Sequence, residues 1–186
     1  MNWLLIAIIA HLFYAGVFII DKYIVSRTLP HPIVYAFYVG VLSIFIWVLA
    51  PFGFFLPSVK EAILVLLAGI VQILGWIFFY KALNKGEVSR VIPFVGSFVA
   101  IFTFILSALL IDECLNNQQV LAFILLAFGG LVISFKGKNF LKSFFASAFS
   151  LALLGALFFS VYWVITKNIF LEAPFITSLI WIRTSV

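Results

Sequence analysis

Charge is what this sequence has least of. Of its 186 residues, 9% are charged and 66% are hydrophobic. A soluble domain carries about 25% charged residues, so a fold with a water-facing surface all round is excluded. Cysteine occurs once, as Cys114, which excludes an intrachain disulfide and any cysteine-based metal cluster. The two histidines, His11 and His31, lack metal-ligand spacing. No strand–glycine-rich turn–helix pattern and no catalytic triad is present. An enzyme is therefore not expected, nor a metal or other cofactor. Acidic residues number six against eleven basic ones, a net charge of +5. The basic residues sit at the edges of apolar runs and form no stripe, so nucleic acid is not an expected partner.

What the chain has in abundance is apolar runs of membrane-spanning length. Val91 to Ile111 holds no charged residue over about 21 positions, enough at 1.5 Å per residue to cross a hydrocarbon core of about 30 Å. Val120 to Phe135 follows after Asp112, Glu113, Asn116, Asn117 and two glutamines. Earlier runs cover Trp3–Ile20, Ile33–Ala50 and Ala62–Tyr80, and later ones start at Phe144 and Phe175. The N-terminus lacks the basic region of a signal peptide, so the first run reads as a retained span. Asp21, Lys22, Ser26, Arg27 and Pro30–Pro32 read as the first loop. The expected fold is an all-α multi-pass membrane protein with about seven transmembrane helices, embedded in the lipid bilayer. After Pro174 about a dozen residues remain, too few to cross a bilayer. The sequence is accordingly expected to be a piece of a longer chain, with a short re-entrant end as the alternative.

An internal repeat is visible. His11–Ser26 aligns without gaps with Ala156–Leu171, matching Leu12, Phe13, Ile20, Lys22 and Ile24 to Leu157, Phe158, Ile165, Lys167 and Ile169. The match pairs span one with span six. An odd number of spans per repeat inserts the second copy upside down, as in alternating-access carriers. Residues 1–138 then form a first five-helix repeat, and residues 139–186 the start of a second, inverted and incomplete one.

The stretch from Phe79 to Ile133 resembles the EamA-type half of drug/metabolite transporters. The similar features are the aromatic-x-Ala-Leu end of span three, Pro93 with small residues opening span four, Glu113 at the following turn, and Gly129-Gly130 in span five. The resemblance implies ten spans in full-length relatives, both termini inside, and transport of amino acids, metabolites or drugs across the bacterial inner membrane. The expected function is a carrier for such small molecules working by alternating access, located in the plasma (inner) membrane. The alternative is a non-transporting assembly partner or a truncated, inactive copy. Expected partners are the bilayer, a small-molecule substrate, and either a second copy of the chain or the missing second half.

Four residues are candidates to line the substrate path. His11 and Tyr14 share a face of span one, and Gln72 and Trp76 share a face of span three. His11 and Gln72 lie at similar depth, and a polar group left unpaired among lipid tails costs on the order of several kcal/mol. The competing reading for each is interhelical packing. The related small multidrug pumps use a buried first-span glutamate for proton exchange. No Asp or Glu lies in the middle of a complete span here, which leaves His11 or uncoupled exchange as the routes to consider. Lys22 and Lys167 read as snorkelling anchors at span ends, and Glu113 with Asn116 or Asn117 as a cap for span five. The small-residue stripe Gly96, Ala100, Thr103 and Ser107, with Gly129 and Gly130, reads as packing surface. Lys22, Arg27, Lys81, Lys85, Arg90, Lys136, Lys138 and Lys142 fall in loops on one side, against Lys60 and Lys167 on the other. The positive-inside rule then places the N-terminus outside, opposite to what the resemblance implies.

Overall fold

The computed structural model describes residues 2–28, 31–110, 116–134 and 147–186. Helix α1 covers Asn2–Tyr23 and passes into a π-helical turn over Ile24–Thr28. Helix α2 covers Pro32–Leu42 and continues as a 3₁₀ helix over Ser43–Phe52. Then follow α3 (Val59–Lys85), α4 (Val88–Leu110), α5 (Asn117–Ser134), α6 (Ser147–Glu172) and the short α7 (Phe175–Thr184). Among the described residues, six helical segments are long and apolar enough to cross a membrane, and α7 is a shorter apolar helix. The chain is an all-α multi-pass membrane protein.

Local chemistry sets several of the boundaries. Ser58 and Glu61 form a reciprocal capping box at the start of α3, with Ser58 N–H donating to Glu61 Oε2 at 2.6 Å. Asn116 and Gln119 do the same for α5, at 2.9 Å in each direction. Asn116 is thus the cap, and Glu113 lies outside the described residues. Span two changes winding at Ser43. The 3₁₀ rise is about 2.0 Å per residue against 1.5 Å in an α-helix, so the segment reaches further across the bilayer than an all-α span. It ends at Pro51 and at Gly53, whose φ of 155° is open to glycine and rarely to other residues.

Two expectations change. Asp21 and Lys22 lie inside α1 and not in a loop, because the helix runs on past Ile20. Pro93 sits more than a turn inside α4, because that helix begins at Val88.

The bundle is built on α3. It packs along α6, which in turn packs on α4, while α5 leans on α4 and α7 lies against the 3₁₀ part of span two. Small residues bring the helices together. A Cβ added to Gly75 would stand 2.8 Å from the Phe159 ring, and one added to Gly130 would strike Ser97 Oγ. Added to Gly96 or Gly129, it would meet nothing within 4 Å. The core gathers Phe79, Tyr80, Leu83, Val91, Phe94 and Ala152. Helix α1 presents most of its large apolar side chains outward, including Leu5, Leu12 and Phe13.

The helix ends sort by charge. Lys22 reaches the end of α3, and Arg90 Nε donates to Ser134 O at 2.9 Å, joining the start of α4 to the end of α5. Lys22, Arg27, Lys81, Lys85 and Arg90 therefore share one side of the bundle. Lys60 pairs with Glu172 at 2.6 Å on the other side. Lys136, Lys138 and Lys142 lie outside the described residues. The charge-rich side is expected to face the cytoplasm. In a Cys114→Ser background, a cysteine at position 85 should resist an impermeant thiol reagent in intact cells and react after permeabilisation. Ready labelling in intact cells would reverse the orientation.

Candidate functional site

Gln72 stands at the midpoint of α3, thirteen residues from either end. It is only 3% exposed, and its Oε1 has no hydrogen-bond partner among the described residues. The Tyr162 hydroxyl of α6 lies beside both Gln72 and Thr166. Thr166 Oγ1 is likewise buried and unpaired among the described residues. Side chains from α3 and α6 thus meet in one buried polar region. Buried polar atoms without partners are uncommon, and each asks for an explanation.

Trp76 lies one turn along α3 in an aromatic cluster. Its ring stacks on Tyr80 at 5.2 Å and meets Phe159 edge-on at 5.1 Å. A ladder of rings continues outward. Phe79 neighbours Phe18 at 5.9 Å, Phe18 stacks on Tyr14 at 6.2 Å, and Tyr14 meets His11 at 6.3 Å. Tyr14 is 54% exposed. His11 also faces outward, with Nδ1 2.8 Å from Ala7 O of its own helix. The four residues expected to line a path are therefore connected, but they do not form one enclosed pocket. Gln72 belongs to the polar region, Trp76 to the ring cluster, and His11 and Tyr14 to the open face of α1.

A second polar group sits towards the charge-rich side. Asp21 is 5% exposed and accepts a hydrogen bond from the Tyr35 hydroxyl of α2. Tyr35 meets Tyr80 edge-on at 4.7 Å. Beside it, Lys22 Nζ donates to the carbonyls of Leu83, Asn84 and Gly86 at 2.6, 3.2 and 2.9 Å. Lys22 is thus a cap on the end of α3, and not a snorkelling anchor. The ammonium satisfies carbonyls that a helix end leaves unpaired, and it complements the negative end of the helix dipole.

The profile of the EamA-like transporter family matches residues 1–135. The chain belongs to the EamA-like transporter family. It is a membrane transporter of the drug/metabolite type, in a family of transporters and not of enzymes. No curated protein and no solved structure matches it significantly.

The reading of the sequence places Asp21 on the helix face of His11 and Tyr14 without a role, and it misses Tyr35, Tyr162 and Thr166. One signal was present. In the internal repeat Asp21 aligns with Thr166, so the same position of each copy carries a buried polar side chain.

Proposed function

We propose that this EamA-like transporter carries small metabolites, amino acids or drug-like molecules across the plasma (inner) membrane by alternating access. Gln72 carries the reading, as a buried amide with an unpaired oxygen at mid-membrane depth in a transporter family. His11, Tyr14 and Trp76 extend the substrate path from that point along the ring ladder, offering apolar faces with polar tips. The reading of residues 1–138 and 139–186 as two inverted repeats goes with alternating access. The end of α1 lies by the end of α3, whereas the end of α6 lies by the start of α3, so the two repeat-related helices run in opposite directions.

Uptake and efflux of a labelled amino-acid panel by cells expressing the protein test this reading. Gln72→Ala and His11→Ala should leave abundance in the membrane nearly unchanged while transport per molecule falls, by about ten-fold for Gln72→Ala if one hydrogen bond to substrate is lost. Reduced abundance with unchanged transport per molecule would assign both residues to packing.

A further inference from the structure

At the charge-rich end of the bundle, polar contacts fasten three helices to one another. Asp21, in the last turn of α1, is buried and accepts from the Tyr35 hydroxyl of α2. The Tyr35 ring meets Tyr80 of α3 edge-on at 4.7 Å, and Tyr80 is itself buried. Lys22 gives its ammonium to the carbonyls of Leu83, Asn84 and Gly86 at the end of α3. Val25, one turn past Asp21, is 0% exposed and belongs to the same core as Tyr80 and Leu83.

This closure lies at one end of the path assigned to the substrate. Tyr80 stacks on Trp76 at 5.2 Å, and Gln72 stands one turn further into the membrane along α3. The bonds that make the closure are of an exchangeable kind. A hydroxyl and a carboxylate that part at a water-facing helix end each find water in place of the other, so opening changes the free energy little. The winding changes beside both partners. A π-helical turn over Ile24–Thr28 begins three residues after Asp21, and span two passes from α to 3₁₀ winding at Ser43, eight residues after Tyr35. Such changes of winding recur at functional hinges.

We propose that the Asp21–Tyr35 hydrogen bond is the latch of a gate at the charge-rich end. The gate is closed in the conformation described, and it opens when the end of α1 parts from α2 and α3 about the π-helical turn. Asp21 and Tyr35 are positioning residues here: they hold helices together and not the substrate. The proposal rests on the carrier reading and adds to it the contact that must break for the path to open.

The test uses the full chain with Cys114→Ser, in phosphatidylcholine nanodiscs, so that both faces meet the reagent. Val25→Cys reports on the gate. Val65→Cys, at a buried site near the opposite end of α3, reports on general loosening. N-ethylmaleimide attacks the thiolate, which forms where water reaches the sulfur. In the parent both cysteines should react slowly. Tyr35→Phe removes the hydroxyl and keeps the ring, and it should speed labelling of the cysteine at 25 about ten-fold while leaving that at 65 unchanged. Asp21→Asn keeps an acceptor without the charge and should act in the same direction, more weakly; it reports in place of the phenylalanine variant if that one fails to insert. Equal acceleration at both positions would show lost stability and no gate. An unchanged rate at 25, or a parent rate there equal to that of the denatured protein, would also overturn the latch. None of these results touches the carrier reading, whose own failure would appear as absence of uptake and efflux across the amino-acid panel.

Discussion

Replacing Gly155 with leucine is expected to separate α3 from α6 and to lower the yield of folded protein sharply. A Cβ at Gly155 would stand 3.2 Å from Phe79 N and 3.4 Å from Gly75 O. Both neighbours are backbone, so they cannot turn aside as a side-chain tip could. In a membrane, helix association depends on close packing, because lipid tails are as apolar as leucine. Extra methylenes in a packed core cost about 1–3 kcal/mol, and occasionally more. Gly155→Leu falls at the upper end of that range, since α3 and α6 form the central pair of the bundle. Gly155→Ala should be milder. Gly129→Leu is the control, because a Cβ there meets nothing within 4 Å. Thermal unfolding in detergent, followed by size-exclusion fluorescence, measures the order. A Gly155→Leu protein as stable as Gly129→Leu would refute the packing account.

Removing the Lys22 charge should release α1 from the bundle. Lys22→Met leaves the carbonyls of Leu83, Asn84 and Gly86 without their donor. Hydrogen bonds to a charged group contribute about 1.5–3 kcal/mol net, so a loss of about 2 kcal/mol is expected. The structural consequence is larger than that figure suggests, because α1 meets the rest of the bundle mainly near this end. Phe18 packs on Phe79, and Asp21 bonds to Tyr35, close to Lys22 along the helix. Cysteines placed at positions 18 and 79 should cross-link in the parent background and cross-link less after Lys22→Met. Lys22→Arg should retain most of the cross-link, since it keeps charge and donors. Equal cross-linking in parent and Lys22→Met would show that the cap does not hold α1.

Membrane class and span positions were legible in the residues alone, because the transfer of a segment into hydrocarbon depends on its own length and composition. The caps at Ser58 and Asn116 are similarly local. Which face of each span meets protein was not legible. A soluble helix announces its buried face by alternating with polar residues, but a helix in lipid is apolar all round. His11 and Gln72 are both lone polar residues in apolar runs, yet one faces outward and the other is buried against α6. Asp21 and Lys22 looked like loop residues beside an apolar run. Only the folded chain brings Lys22 to carbonyls 61 to 64 residues away, and Asp21 to a tyrosine on the next helix. Hydrophobicity places a segment in the bilayer; the pairing of its few polar groups depends on neighbours that come from distant parts of the chain.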